Sequence, residues 1–216
     1  METNTPLPSD AHGVTTRSAG PGRPREFDEG EVLAAALDLF WENGFEATSV
    51  DALTAAMGLS RSSFYAAFGS KQGVLLAALR YYSDASYSGL ADLVATQCAT
   101  TGCGDRGGDA GGKEGALALV NALSRPDRGP RGCLFVNVVT ERGPHDREVA
   151  ELGRRHFARI EALFARCLDA DHPELVRDRA RALMALAFGA IVLRKSGLPA
   201  ADVERILDQA NDLIGP

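Results

Sequence analysis

Between Ser60 and Lys71 the chain gathers side chains suited to grip a polyanion. Ser60, Arg61, Ser62 and Ser63 follow directly on a Gly58-Leu59 pair, Tyr65 lies one helical turn beyond Arg61, and Lys71 closes a Gly-Ser-Lys triplet. An arginine fork matches the O6 and N7 acceptors of guanine. Serine and tyrosine hydroxyls donate to phosphate oxygens, and a lysine ammonium adds a point charge beside them. Thr48 and Ser49 supply two more hydroxyls just upstream. Nearer the amino end, Arg23 and Arg25 stand in "GRPR". Arginines on such an arm suit the narrow, electronegative minor groove of A·T tracts; the alternative is a disordered basic tag.

These groups need elements that hold them outward together. Apolar residues recur at helical spacing on both sides of Gly58. Asp28 is placed to cap a first helix, buried through Val32, Leu33, Ala36, Leu37, Leu39 and Phe40 and stopped by Gly44. Thr48 is placed to cap a second helix, with Val50, Leu53 and Met57 inward and Gly58 at its end. Ser60 caps a short third helix carrying Phe64 and Phe68. Two short helices joined by a glycine turn form a helix-turn-helix, whose second helix enters the major groove and offers its first turn to base edges. Lys71, in the first turn of the helix opened by Ser70, adds its charge beside backbone N–H groups that favour an anion.

Bulk properties bound the reading without making it. The chain has 216 residues, 45% of them hydrophobic and 24% charged, enough for one large domain or two small ones around a real core. No apolar run approaches the roughly 20 residues that span a bilayer, and the amino end has no apolar signal core. Cys98, Cys103, Cys133 and Cys167 are scattered without a CxxC, which fits a reducing cytoplasm rather than a zinc ribbon or disulfide scaffold. Nothing shows metal-ligand spacing, and no cofactor is expected. The net charge is −6, and in the first 72 residues five basic side chains face ten acidic ones. DNA binding must therefore rest on local geometry rather than overall charge.

The rest of the chain reads as helix throughout, giving an all-α protein of about nine helices. A long fourth helix runs through Leu75, Leu79, Tyr82, Leu90 and Leu93; a glycine-dense stretch precedes a short fifth at about 116–123. "CLFVNVVTER" reads as a sixth, with a strand as the alternative because of its β-branched content. Pro144 and Pro173 suit the first turns of a seventh (about 145–169) and an eighth (about 174–195), and a ninth covers about 200–213.

"NGFEATSV", then "LTAAMGLSRSSFYAAFGSK", then a long helix closely resemble the TetR family of transcriptional regulators, over about Phe27 to Leu79. "GCLFVNVVTE" also looks like the sixth-helix region of many members. The resemblance implies a flexible arm (1–26), a helix-turn-helix domain (27–70) and a helical ligand-binding and dimerising body (71–216). It implies a homodimeric repressor released from double-stranded operator DNA by a small molecule acting through the fourth helix. Where many relatives carry further aromatic and histidine side chains, this chain has Ala66 and Ala67, which cannot hydrogen-bond. Phosphate contacts then lean on Thr48, Ser49, Tyr65, Lys71, Arg23 and Arg25.

"ALMALAFGAIVL" is apolar nearly all round, so its helix should be covered on both sides. Ala185, Phe188, Gly189 and Val192, with Val203, Ile206, Leu207 and Ala210 of the ninth helix, are the candidates for a dimer interface; the alternative is a monomer core. A dimer also doubles the few base pairs that one short recognition helix reads. Candidates to line an effector pocket are Tyr82, Tyr87, Cys133, Phe135, Asn137, His156, Phe157, Phe164 and Met184, each with plain core packing as its alternative. Cys133, beside Arg131 at a helix start, raises a second mode: a cation and a helix amino end lower a thiol pKa, making an electrophile or redox sensor. A thiol enzyme lacks a His–carboxylate arrangement that spacing could reveal, so no enzymatic activity is expected.

Overall fold

The computed structural model describes residues 28–101, 112–124, 131–168 and 173–214. Arg23 and Arg25 lie outside them, as do the side chains of Cys98 and Cys103. Among the described residues regular structure is helical throughout: α1 (Glu29–Ala47), α2 (Val50–Ala56), α3 (Arg61–Phe68), α4 (Lys71–Thr101), α5 (Gly112–Ser124), α6 (Leu134–Arg142), α7 (Arg147–Cys167), α8 (Pro173–Lys195), α9 (Ala200–Asp208) and α10 (Ala210–Ile214). The expected ninth helix is thus two pieces meeting at Gln209, and the β-branched "CLFVNVVTER" is helix.

Local chemistry explains the boundaries. Asp28 accepts from the N–H groups of Gly30 and Glu31 at the start of α1, with Glu29 and Glu31 at the positive end of the helix. At Gly44 the backbone turns to φ 75°, and one further helical turn, Phe45–Ala47, follows in a new direction. Asp146 caps α7, accepting from Glu148 and Val149, so Pro144 sits in the turn before the helix rather than in its first turn. Pro173 does open α8, where its missing N–H costs nothing.

Two apolar clusters share α4 as a spine. The first joins Val32, Leu33, Leu37 and Phe40 of α1, Leu53 of α2, Met57 just past its end and Phe64 of α3 to Val74, Leu75 and Leu79 of α4. It continues without a break into Phe135 and Val138 of α6, Val149 of α7 and Ile191 of α8. The second gathers Leu90 and Val94 of α4, Leu119 of α5, Ile160, Leu163 and Phe164 of α7, Leu183 of α8 and Ile214 of α10. Phe64 is fully buried, so α3 is seated by one aromatic anchor whose truncation to alanine would cost about 3–5 kcal/mol.

Candidate nucleic-acid interface

The turn between α2 and α3 depends on Gly58, at φ 64°. A Cβ there would meet nothing within 4 Å, so the backbone conformation rather than space calls for glycine. Leu59 donates its N–H to the Thr54 carbonyl at 3.0 Å and packs half-buried on the first cluster. Ser60 then caps α3, its Oγ accepting from Ser63 N–H at 3.1 Å and lying within hydrogen-bond distance of the Ser62 and Ser63 hydroxyls.

Phe64 points inward against Phe68 and Tyr65, with ring centroids 6.1 and 5.3 Å away. The helix therefore presents Arg61, Ser62, Ser63, Tyr65, Ala66 and Ala67 to solvent, Tyr65 being 49% exposed despite its apolar ring. Arg61 is not idle: its guanidinium pairs with the Asp51 carboxylate on α2, and both side chains are about two-thirds exposed. Exposed pairs of this kind are worth roughly 0–1 kcal/mol, so a guanine edge or phosphate competes with Asp51 at little cost.

Three hydroxyl and lysine placements differ from the spacing argument. Ser49, not Thr48, caps α2, accepting from Ala52 N–H at 3.1 Å. Thr48 is 2% exposed, and its hydroxyl donates to the Gly44 carbonyl at 2.6 Å. Lys71 turns back under the head, donating from Nζ to the carbonyls of Phe45 (2.9 Å) and Thr48 (3.0 Å). The ammonium thus meets carbonyls left without partners at the end of α1. Thr48 and Lys71 therefore lie behind the exposed surface, while Ser49 stays at its edge.

The family model for "Bacterial regulatory proteins, tetR family" matches residues 32–78, which cover α1 to the start of α4. A structure of the TetR family transcriptional regulator CifR, a cysteine mutant in complex with a 26-base-pair operator duplex, is 30% identical. It overlaps 87% of this chain and 98% of that one, with a TM-score of 0.65. The chain belongs to the TetR family. The HTH-type transcriptional repressors ComR and BdcR of Escherichia coli K12 are 32% and 31% identical over 136 and 140 residues. Each alignment takes in 62% of this chain, with 61% of ComR and 64% of BdcR, so under two thirds of either repressor is spanned. This TetR-family chain is accordingly a DNA-binding transcriptional regulator.

The body of this TetR-family member separates the effector candidates into two groups. Tyr82, Cys133 and Phe135 lie buried in the first cluster with Phe157 at its margin. Phe164 is buried in the second, with Tyr87 and Met184 at its margin. His156 stacks on Phe135 at 4.0 Å and 11°, lies within hydrogen-bond distance of the Ser83 hydroxyl through Nδ1 (3.0 Å), and is 2% exposed. Burial first, and the Arg159 charge second, push its pKa down to about 4. Asn137 is held at both ends of its amide, by the Arg131 carbonyl (2.8 Å) and Lys195 Nζ (3.0 Å). Its neighbour Cys133 is 5% exposed, and the Arg131 guanidinium turns away to Asp38 and Glu42 of α1. The cation expected to activate that thiol is committed elsewhere. No group of three or more metal-ligating side chains occurs, and no helix is long and apolar enough to cross a membrane, among the described residues.

The dimer candidates also divide. Ala185 and Val192 are exposed on α8, Phe188 and Gly189 partly so, and a Cβ on Gly189 would meet nothing. Val203 and Ala210 are fully buried inside the subunit and so cannot face a partner; Ile206 and Leu207 are half-buried. Leu193, 38% exposed beside Val192 at 50%, extends the open apolar strip at the end of the quoted stretch. Glu141, Arg142, Asp51 and Trp41 were invisible to spacing. Trp41, for example, donates from Nε1 to the Arg131 carbonyl 90 positions away, at 3.1 Å.

Proposed function

We propose that the chain is a homodimeric repressor that binds double-stranded operator DNA through the first turn of α3 and is released by a small molecule. The observation that carries this reading is the exposure of Arg61, Ser62, Ser63 and Tyr65 on a helix anchored from behind by Phe64. Arg61 exchanges Asp51 for a base edge, and Tyr65 with the cap residues Ser49 and Ser60 meets phosphates. Arg23 and Arg25 reach the adjacent minor groove. The open strip of Ala185, Gly189, Val192 and Leu193 pairs with its copy across a two-fold axis, which sets two recognition helices on successive half-sites. The names of ComR and BdcR as repressors, and the operator duplex in the CifR complex, support the direction of regulation and the partner.

The effector is a small apolar or aromatic molecule that binds the arrangement unable to seat both heads on one duplex better than the competent one; without that difference it shifts nothing. The aromatic groups around His156 and Phe135 support that chemistry. Duplex fragments flanking the chain's own gene, titrated by fluorescence anisotropy, test the reading. The expected result is binding at about 10 nM or tighter at physiological salt, by two subunits, at one fragment among many. Equal affinity for every fragment overturns it. A thermal-shift screen, followed by repetition of the titration with each hit, tests release.

A further inference from the structure

Phe45 stacks on Phe40 inside the reading head and is also gripped by residues from outside it. It follows the Gly44 turn and precedes Ser49, the cap of α2, so whatever fixes Phe45 fixes where α2 and α3 begin. Its N–H donates to both carboxylate oxygens of Glu141, at 3.0 and 3.1 Å, and the Glu46 N–H donates to the same carboxylate at 3.1 Å. Its carbonyl accepts from Lys71 Nζ at 2.9 Å. Two cations lie over its ring, Lys71 Nζ at 4.2 Å and the Arg142 guanidinium carbon at 4.5 Å from the centroid. Arg142 also pairs with Glu46 at 2.6 Å. Asp146, the cap of α7, accepts from Gln72 in the first turn of α4 and sits 3.7 Å from Arg142. The last turn of α6 and the first turn of α4 thus both close on one residue of the head.

We infer that Glu141 is a positioning residue for DNA reading: its carboxylate, clasping the backbone N–H groups of Phe45 and Glu46, sets the angle at which α2 and α3 leave the body. The inference rests on α3 being the reading surface. A carboxylate taking several backbone donors is a directional, charge-assisted contact, stronger than a neutral hydrogen bond. Apolar packing runs across the φ 75° turn at Gly44, Phe45 being buried in the first cluster and stacked on Phe40 at 6.0 Å, but such contacts are not directional; the carboxylate adds the directional bond at the turn. In a dimer the orientation of each head decides which half-site separation both can meet, so the clasp on each subunit selects operator spacing.

Glu141 is exposed, so its replacement leaves the core intact. The wild-type chain first selects its preferred duplex from a random-sequence library. That duplex is then remade with one or two base pairs added to or removed from the segment between half-sites. Wild type, Glu141→Ala and Glu141→Gln are titrated on the series by anisotropy, with circular-dichroism melts alongside. The expected outcome is a steep spacing preference in wild type. Glu141→Ala binds the preferred duplex about tenfold more weakly, from loss of charge-assisted bonds, and loses most of the preference. Glu141→Gln, which retains one acceptor oxygen, falls between. Wild-type profiles in both variants, or equal weakening at every spacing as a merely structural loss would give, overturn the inference while DNA reading stands. A wild type that selects no duplex overturns DNA reading, and this inference with it.

Discussion

The front of α3 and the junction behind α2 carry the same repertoire of hydroxyls and cations, yet their side chains are engaged in opposite ways. Arg61, Ser62, Ser63 and Tyr65 are exposed, tied only to one another's caps or to the solvent-facing Asp51. Thr48 and Lys71 are turned inward, each engaged with main-chain carbonyls at the end of α1. The difference is set by the helix ends beside them. A helix terminus leaves four groups of one sign without partners, and the nearest suitable side chain fills them first. A polar residue in a DNA-binding head is thus available to DNA only after the local backbone has been served.

That contrast can be broken by four measurements. Acid has the largest expected effect, because His156 is the extreme inward case. Above pH 6.5 both folded and unfolded states keep it neutral and it is silent. Between pH 6.5 and about 4 only the unfolded chain takes the proton, so stability falls as pH falls, by about 1.4 kcal/mol per unit and roughly 3 in all. Urea melts across this range should show the slope, and His156→Gln should remove it. Next comes Lys71→Met, which keeps the stem and removes the ammonium from two carbonyls. Its unfolding free energy should drop by about 2–3 kcal/mol, with the salt dependence of DNA binding unchanged; a flattened salt slope would move Lys71 to the front surface.

Arg61→Ala should do the reverse, weakening specific binding by about 1–3 kcal/mol and relaxing preference at one base position. Its melting temperature should match wild type. The smallest pair is Ser49→Ala and Thr48→Val, each costing about 1 kcal/mol of stability. Only the serine variant should also lose DNA affinity. Equal loss in both would erase the distinction between front and back.

Much of this was legible in the sequence because it depends on neighbours in the chain. Gly58, Ser60, Phe64 and Phe68 fix the turn, the cap and the buried face of α3 within eleven residues, and each stands where spacing placed it. The Thr48 cap failed by one residue, since two adjacent hydroxyls compete for one N-cap and only the geometry left by Gly44 chooses Ser49. The inward bonds of Lys71 had no local signal, because the carbonyls that hold it lie at the end of α1, more than twenty positions away. Val203 and Ala210 carried the same apolar stripe as a dimer face, but a stripe does not say whether the covering surface comes from the same subunit. The Glu141 clasp had no sequence signal at all: it reaches Phe45 across 96 positions and has no periodicity to betray it.

Gly153 on α7 has a role that its plain position in a charged helix conceals. A Cβ there would stand 2.6 Å from Cγ2 of Val139 on α6, closer than any methyl tolerates. With only hydrogen between them, the two helices mesh like a tooth in a notch. Any side chain at 153 would part the short helix from the long one, so this joint closes only where α7 has no Cβ.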